Sequence, residues 1–257
     1  MIQRVGLAGY GLLARSGLMR RPLVRRAFDA AYEIYKERLE AGPIDELRAL
    51  VPAGSLVVDV GANVGFFTRR FAAWVGDAGR VVAIEPDAEN FRLLTRRLER
   101  EGLANRVECH QAVAADEPGT RRLRHNPVHP GDHRISTDES GVDVRSVTVD
   151  GLVAGADRRV SLVKIDVQGA ELLVLAGARR TLDQGPPLFV EIDRAALAGF
   201  DTTPEAVVAF LARFGYRMHA LSPNGSIAAL DSAGLAAAVD GRGYADVLFV
   251  RALPSPR

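Results

Sequence analysis

The stretch Val57–Phe67, VVDVGANVGFF, decides the reading, together with Val81–Pro86, VVAIEP, which follows one helix-length later. An apolar run ends at Asp59, passes through a loop holding Gly61 and Gly65, and enters a helical pattern in which Phe67, Phe71, Trp74 and Val75 share a face. A second apolar run then ends in another acid, Glu85. Strand, glycine loop, helix, strand and acid make half of a doubly wound nucleotide-binding sheet. Glycine lets the backbone approach a ligand closely, and an acid after the second strand can accept both hydrogen bonds of a ribose diol.

The loop also reports on the ligand. A dinucleotide fingerprint reads G-x-G-x-x-G and offers helix amides to a pyrophosphate. Here the order is D-x-G-x-N-x-G, from Asp59 through Asn63 to Gly65. A carboxylate at 59 would repel a pyrophosphate and suits a ligand with an ammonium and a sulfonium, S-adenosylmethionine (SAM). The cofactor contacts expected from the strand ends are Asp59, Gly61, Asn63, Gly65, Phe66, Glu85, Pro86, Ala112, Val113 and Asp166.

Bulk properties narrow the class. The chain has 257 residues, 47% hydrophobic and 25% charged, with a formal net charge of +1. That suits one large α/β domain and leaves no global field to attract nucleic acid. No run approaches the roughly 18 apolar residues of a membrane span, so no stable membrane insertion is expected. The single cysteine, Cys109, reads as a buried inert thiol and fits a reducing, cytoplasmic setting. Residues 1–42 read as a basic helical extension in which Val24, Phe28, Tyr32, Tyr35 and Leu39 form an apolar face. It is expected to cover one end of the catalytic domain or to mediate a homodimer contact.

The catalytic domain is assigned to residues 43–257. Gly42-Pro43 punctuates, Ile44–Leu50 reads as a short helix, and Arg106–Val113 as strand three. A helix runs from about Gly169 to Leu182, Tyr216–Leu221 and Asp246–Val250 supply an antiparallel edge, and one interruption breaks the rhythm. The polar, turn-rich segment 117–141 holds His125, His129 and His133 and is flanked by potentially extended Thr120–Arg124 and Val142–Val149, an insertion of about 117–149 in all. Irregular segments of this length inside a compact domain are usually functional, so it is expected to cover the substrate.

The segments VVDVGANVGFFT, AIEPDAENF, QAVAAD and VKIDVQGAELLVLAGA, in this order, resemble the FkbM-type SAM-dependent methyltransferases. The resemblance spans about residues 43–250 and implies a class I, Rossmann-like doubly wound sheet of seven strands. It also implies methyl transfer, most often to an oxygen of a small molecule or sugar. Many relatives carry Glu where this chain has Gln168.

Methyl transfer to a hydroxyl is helped by a proton acceptor. His133 in the covering segment is the first candidate, Asp166 the second, and Lys164, one of two lysines in an arginine-rich chain, a third catalytic candidate. His125, His129, Arg134, Gln168 and Glu191 are expected around the acceptor, a small molecule. Pro127 and Pro130 forbid the helix that would align the three histidines as zinc ligands. Asp166, Glu191 and Asp193 could hold Mg²⁺, but lining the mouth or capping a helix is the more ordinary role, and no metal is assigned. N-methylation of a peptide or amine, and a non-catalytic SAM-binding module, are the alternatives.

Overall fold

A computed structural model describes residues 44–124, 133–136, 140–222 and 226–251. The expected N-terminal helices, His125 and His129 therefore lie outside the described residues. A 3₁₀ turn, Glu46–Leu50, leads into β1 (Leu56–Val60), whose five residues are all buried. α1 (Phe66–Val75), β2 (Arg80–Ile84) and α2 (Ala88–Arg100) follow. Asp87 caps α2 by accepting the N–H groups of Glu89 and Asn90. β3 (Val107–His110) pairs with β2, after which the chain leaves the sheet.

Residues expected as one strand from 106 to 113 thus divide. Val113–Ala114 (β4) joins a second sheet with β5 (Gly119–Arg124), β6 (Arg134–Ile135) and β7 (Val142–Val147), in the order β4-β7-β5-β6. The extended flanks foreseen in the covering segment are real strands paired with each other. Val149, expected at the end of one, begins a short helix instead, α3 (Val149–Leu152), capped by Thr148.

β8 (Val160–Ile165) returns to the main sheet. The long helix expected after it is two, α4 (Glu171–Ala176) and α5 (Arg179–Gln184). The break is at Gly177, where an added Cβ would lie 2.0 Å from the Ala115 carbonyl oxygen. The chain closes through β9 (Leu188–Asp193), α6 (Arg194–Ala198), α7 (Pro204–Ala212), β10 (Arg217–Leu221), β11 (Ile227–Ala229), α8 (Ser232–Arg242) and β12 (Tyr244–Val250).

The main sheet runs β11-β10-β12-β9-β8-β1-β2-β3. β3, β2, β1, β8 and β9 are parallel to one another, and β12 is antiparallel to both β9 and β10. This is the expected seven-stranded arrangement with an antiparallel edge. The short β11, paired antiparallel to β10, adds an eighth strand that the sequence reading lacked. Both faces are covered. Val57, Leu162 and Phe189 pack with Phe71 and Val75 of α1, while Val58, Ile165 and Val190 pack with Val174, Leu182 and Leu211. The chain order reverses between β1 and β8, so the crevice beyond their carboxyl ends is where an open α/β sheet binds ligand.

Candidate active site

The cleft lies at that switch point. Its floor is Val60, Gly61 and Asn63 at the end of β1, Ile84 to Pro86 at the end of β2, and Asp166 to Gln168 after β8. One wall is Ala112 to Ala114. The small sheet contributes Leu123, His133 and Ile135 from the other side.

Gly61 sits where two loops touch. Its φ is +77°, and an added Cβ would lie 1.8 Å from the Asp166 carbonyl oxygen, so only glycine fits. Asn63 has φ +50°, a region asparagine tolerates better than most residues. Its backbone N–H donates to Glu85 Oε2 at 2.8 Å, and the Asp87 N–H donates to Glu85 Oε1 at 2.9 Å. Two amides thus aim the Glu85 carboxyl into the cleft. Burial, opposed by these hydrogen bonds and reinforced by the nearby Asp87 charge, raises its pKa to about 7.

Several expected contacts stand elsewhere. Asp59 does not line the cleft: it is 0% exposed, accepts the Thr68 hydroxyl at 2.6 Å, and faces the Lys164 ammonium at 3.4 Å. It lies inside β1, on the same face as Val57, and points under α1 rather than out of the sheet end. Gly65 (φ +93°) is closed by Leu94 of α2, 2.7 Å from an added Cβ. Phe66 turns into the core against Phe67, with the Arg70 guanidinium 4.1 Å from its ring centre. Both residues shape the start of α1.

Lys164 neither snorkels to solvent nor lines the cleft. It is 3% exposed and donates to the Gly61 carbonyl at 2.7 Å, with Asp59 at 3.4 Å and Asp166 at 3.5 Å. It ties the glycine loop to two carboxylates. Arg134 also points away, because Ile135 beside it faces the cleft and neighbours in a strand alternate.

Asp166 does line the cleft, its side chain 30% exposed. Gln168, held at φ +56°, donates its amide to Asp166 Oδ1 at 3.3 Å and to Glu191 Oε1 at 3.0 Å. Glu191 therefore stands behind Gln168. Asp193 caps α6 through the Ala196 N–H. Among the described residues no three His, Cys, Asp or Glu side chains are placed to hold a metal.

His133 lines the cleft as expected, but at the β2 end, its Nε2 3.7 Å from Asp87 Oδ2. Cys109 is half-buried, and burial, with the Asp59 and Glu108 charges, raises its thiol pKa to about 11, as an inert thiol requires. Two residues escaped the sequence reading. Asn90, on α2, lines the cleft and is 5% exposed. Glu171 is 2% exposed, with Oε1 accepting the Gly169 N–H and Oε2 without a hydrogen-bond partner. Its signal was visible, an acid in an apolar helix start, VQGAELLV, where a charge has no amphipathic reason to be.

The model of the methyltransferase FkbM domain family matches residues 59–218. The chain belongs to the FkbM methyltransferase family. It is a SAM-dependent methyltransferase with the class I fold. The hexuronic acid methyltransferase AglP of Haloferax volcanii is 25% identical over 205 residues, covering 75% of this chain and 83% of that protein. Methyltransferase 1 of Beauveria bassiana is 26% identical over 149 residues, 49% of this chain and 59% of that one. The crystal structure of methyltransferase FkbM from Methylobacillus flagellatus aligns with 20% identity and a TM-score of 0.48, over 77% of this chain and 44% of that chain.

The cleft fits the cofactor on its own geometry. Glu85 holds an amide-oriented carboxyl where a diol could meet it, and the glycine-only contact at Gly61 lets the loops after β1 and β8 meet at the cleft floor. Pro86, Ala112 and Val113 offer an apolar slot.

Proposed function

We propose that this enzyme methylates a hydroxyl of a small, sugar-type acceptor, with Asp166 taking the acceptor's proton. Glu85, Asn63, Gly61, Pro86, Ala112 and Val113 hold the cofactor, which supplies an electrophilic methyl group on a sulfonium. The observation that carries the reading is the Asp166–Gln168–Glu191 chain at the ends of β8 and β9. It places an oriented carboxylate in the cleft beside the glycine loop. Such a carboxylate can accept a hydrogen bond from a hydroxyl and withdraw its proton as the methyl group is transferred. Gln168 and Lys164 fix its two oxygens from opposite sides.

His133, the first candidate from sequence, stands beside Asp87 at the end of β2, where Glu85 is aimed at the nucleoside. That position favours Asp166 over His133 as the base. The sugar-type acceptor is supported by the relative AglP, which acts on a hexuronic acid by its name.

The test is to incubate the purified protein with SAM and a panel of neutral sugars, hexuronic acids and amines. Demethylated cofactor and methylated product are then followed by mass spectrometry. Hydroxyl methylation is expected, with turnover in Asp166→Asn lowered by about 10²-fold or more while SAM affinity holds. Methylation of amines alone would overturn the acceptor assignment. Normal turnover in Asp166→Asn would remove it as the base.

A further inference from the structure

Among the described residues, the small sheet and the cofactor floor come together at the side chains of His133 and Asp87. His133 enters from the segment leading into β6, and Asp87 sits at the turn between β2 and α2. Their side chains are 10% and 6% exposed, and Nε2 lies 3.7 Å from Oδ2. That separation exceeds a hydrogen bond but is within ion-pair range.

Asp87 is tied to the floor at two further points. Its backbone N–H donates to Glu85 Oε1 at 2.9 Å, and its Oδ1 accepts the N–H groups of Glu89 and Asn90 at 3.0 and 2.8 Å. The same side chain that His133 approaches therefore fixes the start of α2, and its backbone fixes Glu85. On the small sheet, Leu123 and Ile135 are directly paired across β5 and β6 and are buried against the cleft. Arg134 faces the other way, so the residues this sheet presents to the cleft are Leu123 and Ile135, with the His133 imidazole beside them.

We propose that His133 is a positioning residue for the cofactor's nucleoside, fastening the small sheet to the Glu85–Asp87 turn. In this role it acts through Asp87 on Glu85 and closes the β2 end of the cleft. It takes no proton from the acceptor. The proposal rests on the cofactor placement above and adds to it the contact that holds the roof against the floor.

The demethylated cofactor, S-adenosylhomocysteine, is the probe, because it carries the nucleoside without the reactive methyl group. Its affinity and dissociation rate are measured by calorimetry and stopped-flow fluorescence at about pH 6, where an ordinary imidazole is mostly protonated. The proteins are the full chain, His133→Ala, Asp87→Asn and the double variant. Asparagine caps helices as well as aspartate does, so Asp87→Asn keeps α2 intact while removing the charge.

Each single variant is expected to weaken binding about three- to tenfold and speed dissociation. The double variant should be no worse than the weaker single, the non-additivity of residues that act through one contact. Additive losses, or unchanged affinity in His133→Ala, would overturn the proposal. Glu85→Ala, run alongside, tests the cofactor placement separately. If it binds like the unmodified chain, that placement is wrong. If it binds weakly while the His133–Asp87 cycle is additive, only the fastening role fails.

Discussion

Replacing Glu171 by glutamine should make the protein more stable at high pH and change it little at low pH. The carboxyl is 2% exposed at the start of α4, and Oε2 has no hydrogen-bond partner. Burial is the main cause that lifts its pKa from 4.5 to about 7, with Asp166 adding repulsion and the Gly169 N–H opposing it. The folded chain thus holds this proton more tightly than the unfolded chain does. Below about pH 4.5 both states are protonated and the group costs nothing. Between about 4.5 and 7 the unfolded chain releases its proton first, so stability falls as pH rises. Above about 7 the full penalty applies, roughly 3 kcal/mol at 1.36 kcal/mol per pH unit.

Glutamine removes the charge and with it the penalty. For a chain of this size the advantage at about pH 8 corresponds to a melting point roughly 6–12 °C higher, shrinking toward acid pH. A buried amide that leaves one N–H unpaired would subtract a constant amount at every pH. The decisive quantity is therefore the slope of the difference against pH, read from thermal and urea melts of both proteins. Glu85 contributes a similar slope of its own, since burial raises it to about 7 as well. The single variant should accordingly lose about half of the pH dependence and Glu85→Gln/Glu171→Gln most of it. A difference between Glu171→Gln and the unmodified chain that stays constant from about pH 5 to 8 would refute the argument.

Three further outcomes are expected. Gly61→Ala should abolish SAM binding or folding, because the added Cβ meets the Asp166 carbonyl at 1.8 Å, whereas Gly76→Ala, with nothing within 4 Å, should cost only its backbone strain; equal melting points for the two would contradict this. Thr68→Val should lower stability by about 1–3 kcal/mol in urea melts, since the buried Asp59 Oδ2 loses its donor at 2.6 Å. SAM affinity and turnover should survive EDTA, because the Gln168 amide donates to both Asp166 and Glu191 and Asp193 is engaged as a cap; activity lost to EDTA and restored by Mg²⁺ would show those carboxylates ligating metal.

How much of this was legible turns on parity and adjacency. Two apolar runs each close on an acid, and in the sequence Asp59 and Glu85 look equivalent. The structure separates them by two positions relative to the end of pairing, Asp59 lying just before the last residue of β1 and Glu85 just after the last of β2. Asp59 is still inside β1, in register with Ala83 and Lys164, so the pleat sends it to the α1 face. Glu85 follows the last residue of β2 and is free to turn into the cleft. A strand boundary is the feature that sequence periodicity locates least well, and here it decides whether a carboxylate lines the cleft or faces a buried lysine.

Lys164 was unreadable for a different reason. Its partner Asp59 is set by which strands are neighbours, and β8 lies beside β1 only because the chain crosses back over the sheet. Once that adjacency is known, the lysine has a simple account. It stands in register with a carboxylate buried at 0% exposure, and a buried charge needs a partner. The covering segment follows the same rule. Its strands, TRRLR and VDVRS, alternate charged residues with Leu123 and Val144, with Arg121 the exception on the Leu123 face, so their extended character could be read locally. Which face meets the cleft could not. That face brings His133 to Asp87, and for that reason the base proposed above is Asp166 and not the imidazole.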